Sequence, residues 1–183
     1  MSNGNGNFQL KDFDYVELGH FVHQHLENAG SKEMAINGAA GIQFVYTVPT
    51  SMNLLLMSLH GMIYDGVANE ANTFGGIAAL TNGCQVYIKN PSDSVVYDFL
   101  DGEEIKVNAD WGMLCGADVK PLIGAASALG YSFTWNIAEQ AMKPVRLREG
   151  YQFIVKIQDD LSANTSFQCA VSGLLVPDPP NPV

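Results

Sequence analysis

The sequence of 183 residues is short of charge. Charged residues make up 15% of the chain, against roughly 25% in typical soluble domains, whereas hydrophobic residues reach 47%. The 9 Lys and Arg are outnumbered by 19 Asp and Glu, which gives a net charge of −10. Direct binding to nucleic acid or to anionic membranes needs a basic face, so this balance argues against both. Because charges normally collect on water-facing surface, such a chain either buries an unusually large fraction of itself or is covered by neighbours.

Cysteines and long apolar runs are also scarce. The three cysteines, Cys84, Cys115 and Cys169, are far apart and form no CxxC motif, which predicts buried free thiols in a reducing compartment. No apolar run approaches the roughly 18 residues that a membrane helix needs. The first residues lack the basic and apolar regions of a signal peptide. We therefore expect a cytosolic protein, or one assembled from chains made in the cytosol.

Short segments of alternating apolar and polar residues, separated by Gly, Asn and Pro, are what the sequence does contain. Residues 42–48 place Ile42, Phe44, Tyr46 and Val48 on one face, and residues 131–137 alternate strictly. Segment 54–64 begins apolar on both faces, which is typical of a central strand. Further strands are predicted over 77–80, 84–89, 95–99, 104–107, 145–148, 151–157 and 166–176. Helix is expected to be minor, with weak helical patterns over 13–26 and 108–117. The pattern predicts an all-β fold, an antiparallel β-sandwich of jelly-roll type with two four-stranded sheets.

Both ends of the chain differ from this body in composition. Residues 1–10 begin with alternating Asn and Gly, which cannot repay the entropy of ordering, and we expect a flexible arm there. Residues 177–183 are dense in proline, which favours an extended tail. The single β-sandwich domain is expected to cover residues 11–176.

One histidine cluster has the spacing of metal ligands. If residues 19–27 form a strand, His23, His25 and Glu27 point to one side, and an HxH pair can present two imidazoles to one metal. This spacing resembles that of cupins, although cupin motifs place the Glu four or five residues after the second His. His60 is a candidate third ligand, but nothing in the sequence places it near the others. The alternative is that these histidines hydrogen-bond on a polar face or at a subunit contact, and we predict no bound metal or other cofactor.

Basic residues gather in one region. Four of the nine cations, Lys143, Arg146, Arg148 and Lys156, lie between residues 143 and 156, and Arg146 and Arg148 are expected to share one strand face. This group predicts a contact with the acidic surface of a neighbouring subunit, where Arg forms forked pairs with carboxylates. The alternative is a solvated strand edge protected by these charges from aggregation.

The two tryptophans receive opposite predictions. Trp135 alternates with aromatic residues of its strand and is predicted to be in the core. Trp111 lies in a probable loop and is predicted to be exposed, where it would serve as a contact residue or as a platform for sugar.

Part of the sequence resembles virion structural proteins of tailed bacteriophages. The resemblance covers roughly the C-terminal hundred residues and rests on IAALTNG at 77–83, IKVNADW at 105–111, VRLREG at 145–150, VKIQDDLS at 155–162, and Gly173. It implies a jelly-roll auxiliary capsid protein, a cement or decoration protein on the virion surface, made in the host cytoplasm. Its partners would be the major capsid protein and further copies of itself as a homo-oligomer. The resemblance implies no enzymatic activity and carries over no catalytic residue.

Two other functions stay open at this point. The first is a receptor-binding or carbohydrate-binding jelly-roll module of a phage fibre, which would use Trp111 and loop aromatics. The second is a cupin-like metal-binding protein, which would use His23, His25 and His60.

Overall fold

Ten strands form two antiparallel sheets that pack together in the computed structural model, which describes residues 20–26, 42–65, 72–74, 77–115, 119–123, 129–161 and 166–177. The large sheet contains β1 (His20–His25), β3 (Met52–Asp65), β6 (Val119–Ile123), β7 (Leu129–Trp135), β8 (Val145–Leu147) and β10 (Ser166–Pro177). Its order is β1-β10-β3-β7-β6, and β8 pairs with β3 beside β7. The small sheet contains β2 (Ile42–Thr47), β4 (Cys84–Lys89), β5 (Val95–Asp98) and β9 (Gln152–Ile157), in the order β2-β9-β4-β5.

Helix is limited to short turns in these ranges. A 3₁₀ turn, Asn108–Trp111, leads directly into helix α1 (Gly112–Cys115), and helix α2 (Ile137–Gln140) follows β7. None of the helices in the described ranges is long and apolar enough to cross a lipid bilayer.

The core lies between the sheets and follows the period of two in the sequence. In β9, Phe153, Val155 and Ile157 are fully buried, because alternate side chains of a strand share one face. Aromatic rings fill the centre: the Phe167 ring lies 5.3 Å from that of Phe44, in edge-to-face geometry. Edge-to-face pairs of this kind contribute beyond the area they bury.

A glycine in β3 makes room for an aromatic ring of the neighbouring strand β7. Gly61 of β3 pairs with Phe133 of β7, and the Phe133 ring occupies the space where a Cβ at Gly61 would lie. Any larger residue at position 61 would therefore displace the ring.

The chain passes between the sheets twice at one corner. After β2 it crosses to β3, and after β8 it crosses to β9. The two crossings are hydrogen-bonded to each other, from Val48 N to Tyr151 O and from Gly150 N to Val48 O, both at 3.0 Å. In addition, Ser51 N donates to the Glu149 carboxylate at 2.9 Å.

The predicted antiparallel β-sandwich is confirmed, with six and four strands in the two sheets rather than four and four. Its jelly-roll connectivity stays a prediction. The strand predicted at 84–89 matches β4 at both ends, and the helix predicted weakly over 13–26 is wrong for residues 20–25, which form β1. Residues 1–10 and 178–183 lie outside the described residues, and Pro177, placed at the start of the predicted tail, is the last residue of β10.

Two predicted strands are reduced to single bridges. Ile77 pairs only with Phe74, and Ile105 pairs only with Cys84. In the turn at Glu149 and Gly150, the glycine adopts a left-handed conformation with φ of +73°. This turn joins β8 of the large sheet to β9 of the small sheet.

Candidate functional site

The basic residues do not form one face. Arg146 lies on β8 of the large sheet, and β8 ends at Leu147, so Arg148 is exposed in the following turn rather than beside Arg146 on a strand. Lys156 lies on β9 of the small sheet, paired with Gln43 on one side and with Gln85 on the other. The expected basic face of Arg146, Arg148 and Lys156 is therefore wrong in its composition, because the chain changes sheet between them. Lys156 also lies on an inner strand, so the edge-protection alternative does not apply to it.

Arg146 has a defined position on the large sheet. Its Nε donates to the Oδ1 of the fully buried Asn53 at 3.2 Å. This bond holds the guanidinium close to the sheet surface. Lys143 and Arg148, which flank it in the sequence, are exposed.

The prediction that Trp111 is exposed is wrong. Its side chain is fully buried, and its ring stacks on Phe133 with 3.8 Å between centroids and 8° between planes. The turn that carries it is fixed by the Asp110 carboxylate, which accepts hydrogen bonds from Lys106 N at 2.8 Å and Val107 N at 3.0 Å. Trp111 therefore contacts the core and offers neither a subunit contact nor a sugar platform.

The candidate histidines are brought together on the outer face of the large sheet. Across β1, β10 and β3, His23 is aligned with Ser172 and Ser58, and His25 is aligned with Ala170 and His60. The ring of His23 lies 5.9 Å from that of His25 and 5.5 Å from that of His60. We call these three residues the histidine cluster.

Hydroxyl groups bind the imidazoles of this cluster. Ser172 Oγ lies 2.7 Å from His23 Nδ1, and Ser58 Oγ lies 2.9 Å from His60 Nε2. Thr134 Oγ1 lies 3.3 Å from His60 Nδ1, so both ring nitrogens of His60 are engaged. Burial, followed by the charge of His23, lowers the pKa of His60 below 6.5.

The histidine cluster lies on a polar face, where two of its three imidazoles are hydrogen-bonded to hydroxyl groups. Among the described residues, no group of three or more His, Cys, Asp or Glu side chains is arranged to hold a metal ion. The alternative prediction, histidines hydrogen-bonded on a polar face, agrees with these contacts. Glu27, the remaining member of the motif, lies outside the described residues.

Two acidic side chains, Asp159 and Asp98, cap turns. The Asp159 carboxylate accepts hydrogen bonds from the backbone N–H groups of Asn82 and Gly83, at 2.9 and 2.6 Å. Asp98 accepts from Leu100 N at 3.0 Å and Gly102 N at 3.1 Å. These carboxylates therefore satisfy backbone donors, which is a structural role.

The three cysteines are free and buried, as predicted. Burial raises the pKa of the Cys84 thiol well above its ordinary value, and it raises that of Cys169 too. Because the thiolate is the nucleophilic form, these two side chains are poor nucleophiles in the folded chain.

An apolar cleft of about 510 Å³ opens between β5 of the small sheet and β8 of the large sheet. Helices α1 and α2 contribute Met113, Leu114, Ile137, Gln140 and Ala141 to its wall. Four aromatic side chains line it: Tyr97, Phe99, Trp135 and Tyr151. Arg146 is the charged residue in its lining. We call this site the aromatic cleft.

Contacts beneath the aromatic cleft fix its floor. The Phe99 ring lies 4.8 Å from that of Tyr97 and 4.7 Å from that of Trp135, both in edge-to-face geometry. The indole Nε1–H of Trp135 donates to Gln140 Oε1 at 2.7 Å, and Gln140 Nε2 donates to the carbonyl of Leu114. The rings are thus positioned by neighbours in both sheets and in α1.

Strand β5 leaves apolar side chains in solvent at the mouth of this cleft. Val95, Val96 and Tyr97 are 54%, 47% and 57% exposed. In the described part of the small sheet, β5 is the last strand and pairs only with β4. It therefore presents an open backbone edge together with apolar side chains.

Sequence reasoning missed the aromatic cleft, although a signal for it exists. Three consecutive apolar residues, Val95 to Tyr97, cannot all face the core of a strand whose side chains alternate. At least one of them must face outward. Such a run therefore indicates a strand with apolar surface.

Comparisons of the chain with protein-family models, with curated proteins and with solved structures found no match.

Proposed function

We propose that the protein is a non-enzymatic structural subunit that stabilises a bacteriophage capsid lattice, as a cement or decoration protein. It acts through contacts with copies of itself and with the major capsid protein. The observation that carries this proposal is the exposed apolar surface of β5, formed by Val95, Val96 and Tyr97 beside the aromatic cleft. Exposed apolar patches of this kind mark contacts with other chains.

Charge supports a contact between unlike surfaces. The chain carries a net charge of −10, so the general surfaces of two copies repel each other. Arg146 is the charged residue in the lining of the cleft, so the cleft carries a positive charge within an acidic chain. Contacts between unlike surfaces extend into rings or open arrays, as a lattice protein requires.

The environments of the residues predicted for carbohydrate binding and for metal binding give these two alternative functions less support. A carbohydrate-binding module was predicted to use Trp111, which is buried against Phe133. A cupin-like metal protein was predicted to use the histidine cluster, in which His23 and His60 are hydrogen-bonded to hydroxyl groups.

The decisive experiment asks whether the chain is part of assembled phage particles. Purified particles carrying the wild-type chain are compared with particles assembled with Val96→Glu, which places a charge on the β5 edge. Phe21→Glu is the matched control, since Phe21 is 65% exposed on β1 of the other sheet. We expect the wild-type and Phe21→Glu chains on particles and a strong loss of the Val96→Glu chain. The proposal is overturned if the wild-type chain is a monomer at all concentrations and is absent from particles.

A further inference from the structure

We infer that the aromatic cleft binds the proline-rich segment 178–183, Asp-Pro-Pro-Asn-Pro-Val, of a second copy of this chain. The inference rests on the proposed function, because it names the contact through which copies associate. The segment itself lies outside the described residues, so the argument uses its sequence and the structure of the cleft.

The chemistry of the segment matches the lining of the cleft. Proline fixes φ near −65°, so a segment with three prolines in six residues favours an extended polyproline conformation without internal hydrogen bonds. Such segments lose little conformational entropy on binding, and they dock in grooves lined by aromatic rings. The aromatic cleft offers the rings of Tyr97, Phe99, Trp135 and Tyr151.

The size of the cleft also suits a short peptide. Its volume of about 510 Å³ lies within the roughly 300–1,000 Å³ of sites for small ligands. A polyproline turn of three residues rises about 9 Å, so the cleft has room for a few residues of the segment. It has no room for a folded partner.

The proposed function favours a second copy as the source of the segment. A cement protein needs contacts between copies, whereas a segment bound to its own chain would fill the aromatic cleft and remove it as a contact surface. The segment follows β10, whose last residue, Pro177, pairs with Met52 of β3 in the large sheet. The mixing experiment below separates the two sources.

Charge adds to this match. The segment carries an acidic residue, Asp178, and no cation. Arg146 lines the cleft. Attraction between Arg146 and Asp178 of the second copy offsets part of the repulsion between two acidic copies, and it should weaken as salt screens it.

Sedimentation of the full-length protein over a range of concentrations tests the inference. We expect concentration-dependent association that is weakened roughly 2- to 10-fold by Tyr97→Ala, from the usual contribution of one aromatic contact. A variant with Pro179, Pro180 and Pro182 all changed to Ala should be weakened to a similar extent. Phe21→Ala, which removes an exposed ring from the other sheet, is the matched control and should associate like the wild type. A synthetic peptide of residues 176–183 should compete with the association.

Mixing the two weakened variants separates a second copy from the chain's own tail. The Tyr97→Ala chain supplies an intact tail, and the proline variant supplies an intact cleft. The contact is proposed to join copies head to tail, with one tail in one cleft, so the mixture should form 1:1 pairs whose single contact has wild-type affinity. The inference is overturned if the affinity of the mixture is as low as that of either variant alone. It is also overturned if neither set of substitutions nor the peptide changes the affinity of association.

The same variants keep this inference distinct from the proposed function. If all three proline changes leave binding to particles intact, the tail contact is wrong while the structural role stands. If the tail binds the cleft but the chain is absent from particles, the proposed capsid role is wrong while the contact stands.

Discussion

The burial of Trp111 gives a sharp test of the fold, because the sequence predicted the opposite environment. The indole is fully buried and stacks on Phe133, which in turn lies over Gly61. Replacing a buried Trp by Ala removes this stack and leaves a cavity, which typically costs about 3–5 kcal/mol. In the exposed loop that the sequence suggested, the same change would cost less than about 0.5 kcal/mol.

The assay is urea unfolding followed by circular dichroism, with thermal unfolding as a second measure. For a domain of this size, 1 kcal/mol corresponds to roughly 2–4 °C, so Trp111→Ala should lower the melting temperature by about 6–20 °C. Tyr97→Ala is the matched control, since it removes a similar ring from a side chain that is 57% exposed. We expect it to change the free energy of unfolding by less than about 1 kcal/mol.

Equal stabilities of the two variants would refute this reasoning. A Trp111→Ala protein within about 0.5 kcal/mol of the wild type would mean that the indole makes no core contact. A Trp111→Phe variant covers the case in which Trp111→Ala fails to fold. It keeps a ring beside Phe133 and should be less destabilised than the Ala variant.

Two further predictions concern the large sheet. The pKa of His60 is lowered from 6.5 by burial and by His23, so below pH 6.5 the unfolded chain binds more protons at this residue than the folded chain does. The free energy of unfolding should therefore fall as pH drops from 6.5 through the folded pKa. In urea unfolding between about pH 7.5 and pH 5, His60→Asn should make the free energy of unfolding less dependent on pH. The same pH dependence in the variant as in the wild type would contradict this role of His60. Gly61→Ala should destabilise by about 1–3 kcal/mol or more, since its methyl overlaps the Phe133 ring. Gly112→Ala, where a Cβ meets no atom within 4 Å, should not destabilise, and similar losses from both changes would exclude the overlap as the cause.

The sequence predicted strand bounds correctly where alternation and a turn residue define them. The segment 84–89 alternates and follows Gly83, whose φ of +77° is one that glycine adopts readily. Its prediction as a strand was accordingly right at both ends. Strand β6 was missed because Pro121 argues against a strand, yet β6 is the last strand of the large sheet in the described residues, where a proline is tolerated.

The candidate sites were less predictable, because they depend on which strands become neighbours. His60 meets His23 only because β10 lies between β1 and β3, and pairing between distant segments leaves no trace in local periodicity. For Trp111 a signal was present. Trp111, Leu114 and Cys115 have the i, i+3, i+4 spacing of a buried helical face, and all three are buried.

The double crossing at the corner between the sheets has a mechanical consequence. Two crossings of the chain between the sheets meet there. The hydrogen bonds of Val48 with Gly150 and Tyr151 join these crossings and oppose sliding of one sheet over the other. Tyr151, which belongs to this corner, also forms part of the wall of the aromatic cleft. One wall of the cleft is therefore set before anything binds, and a partner that docks there does not have to supply the free energy for ordering it.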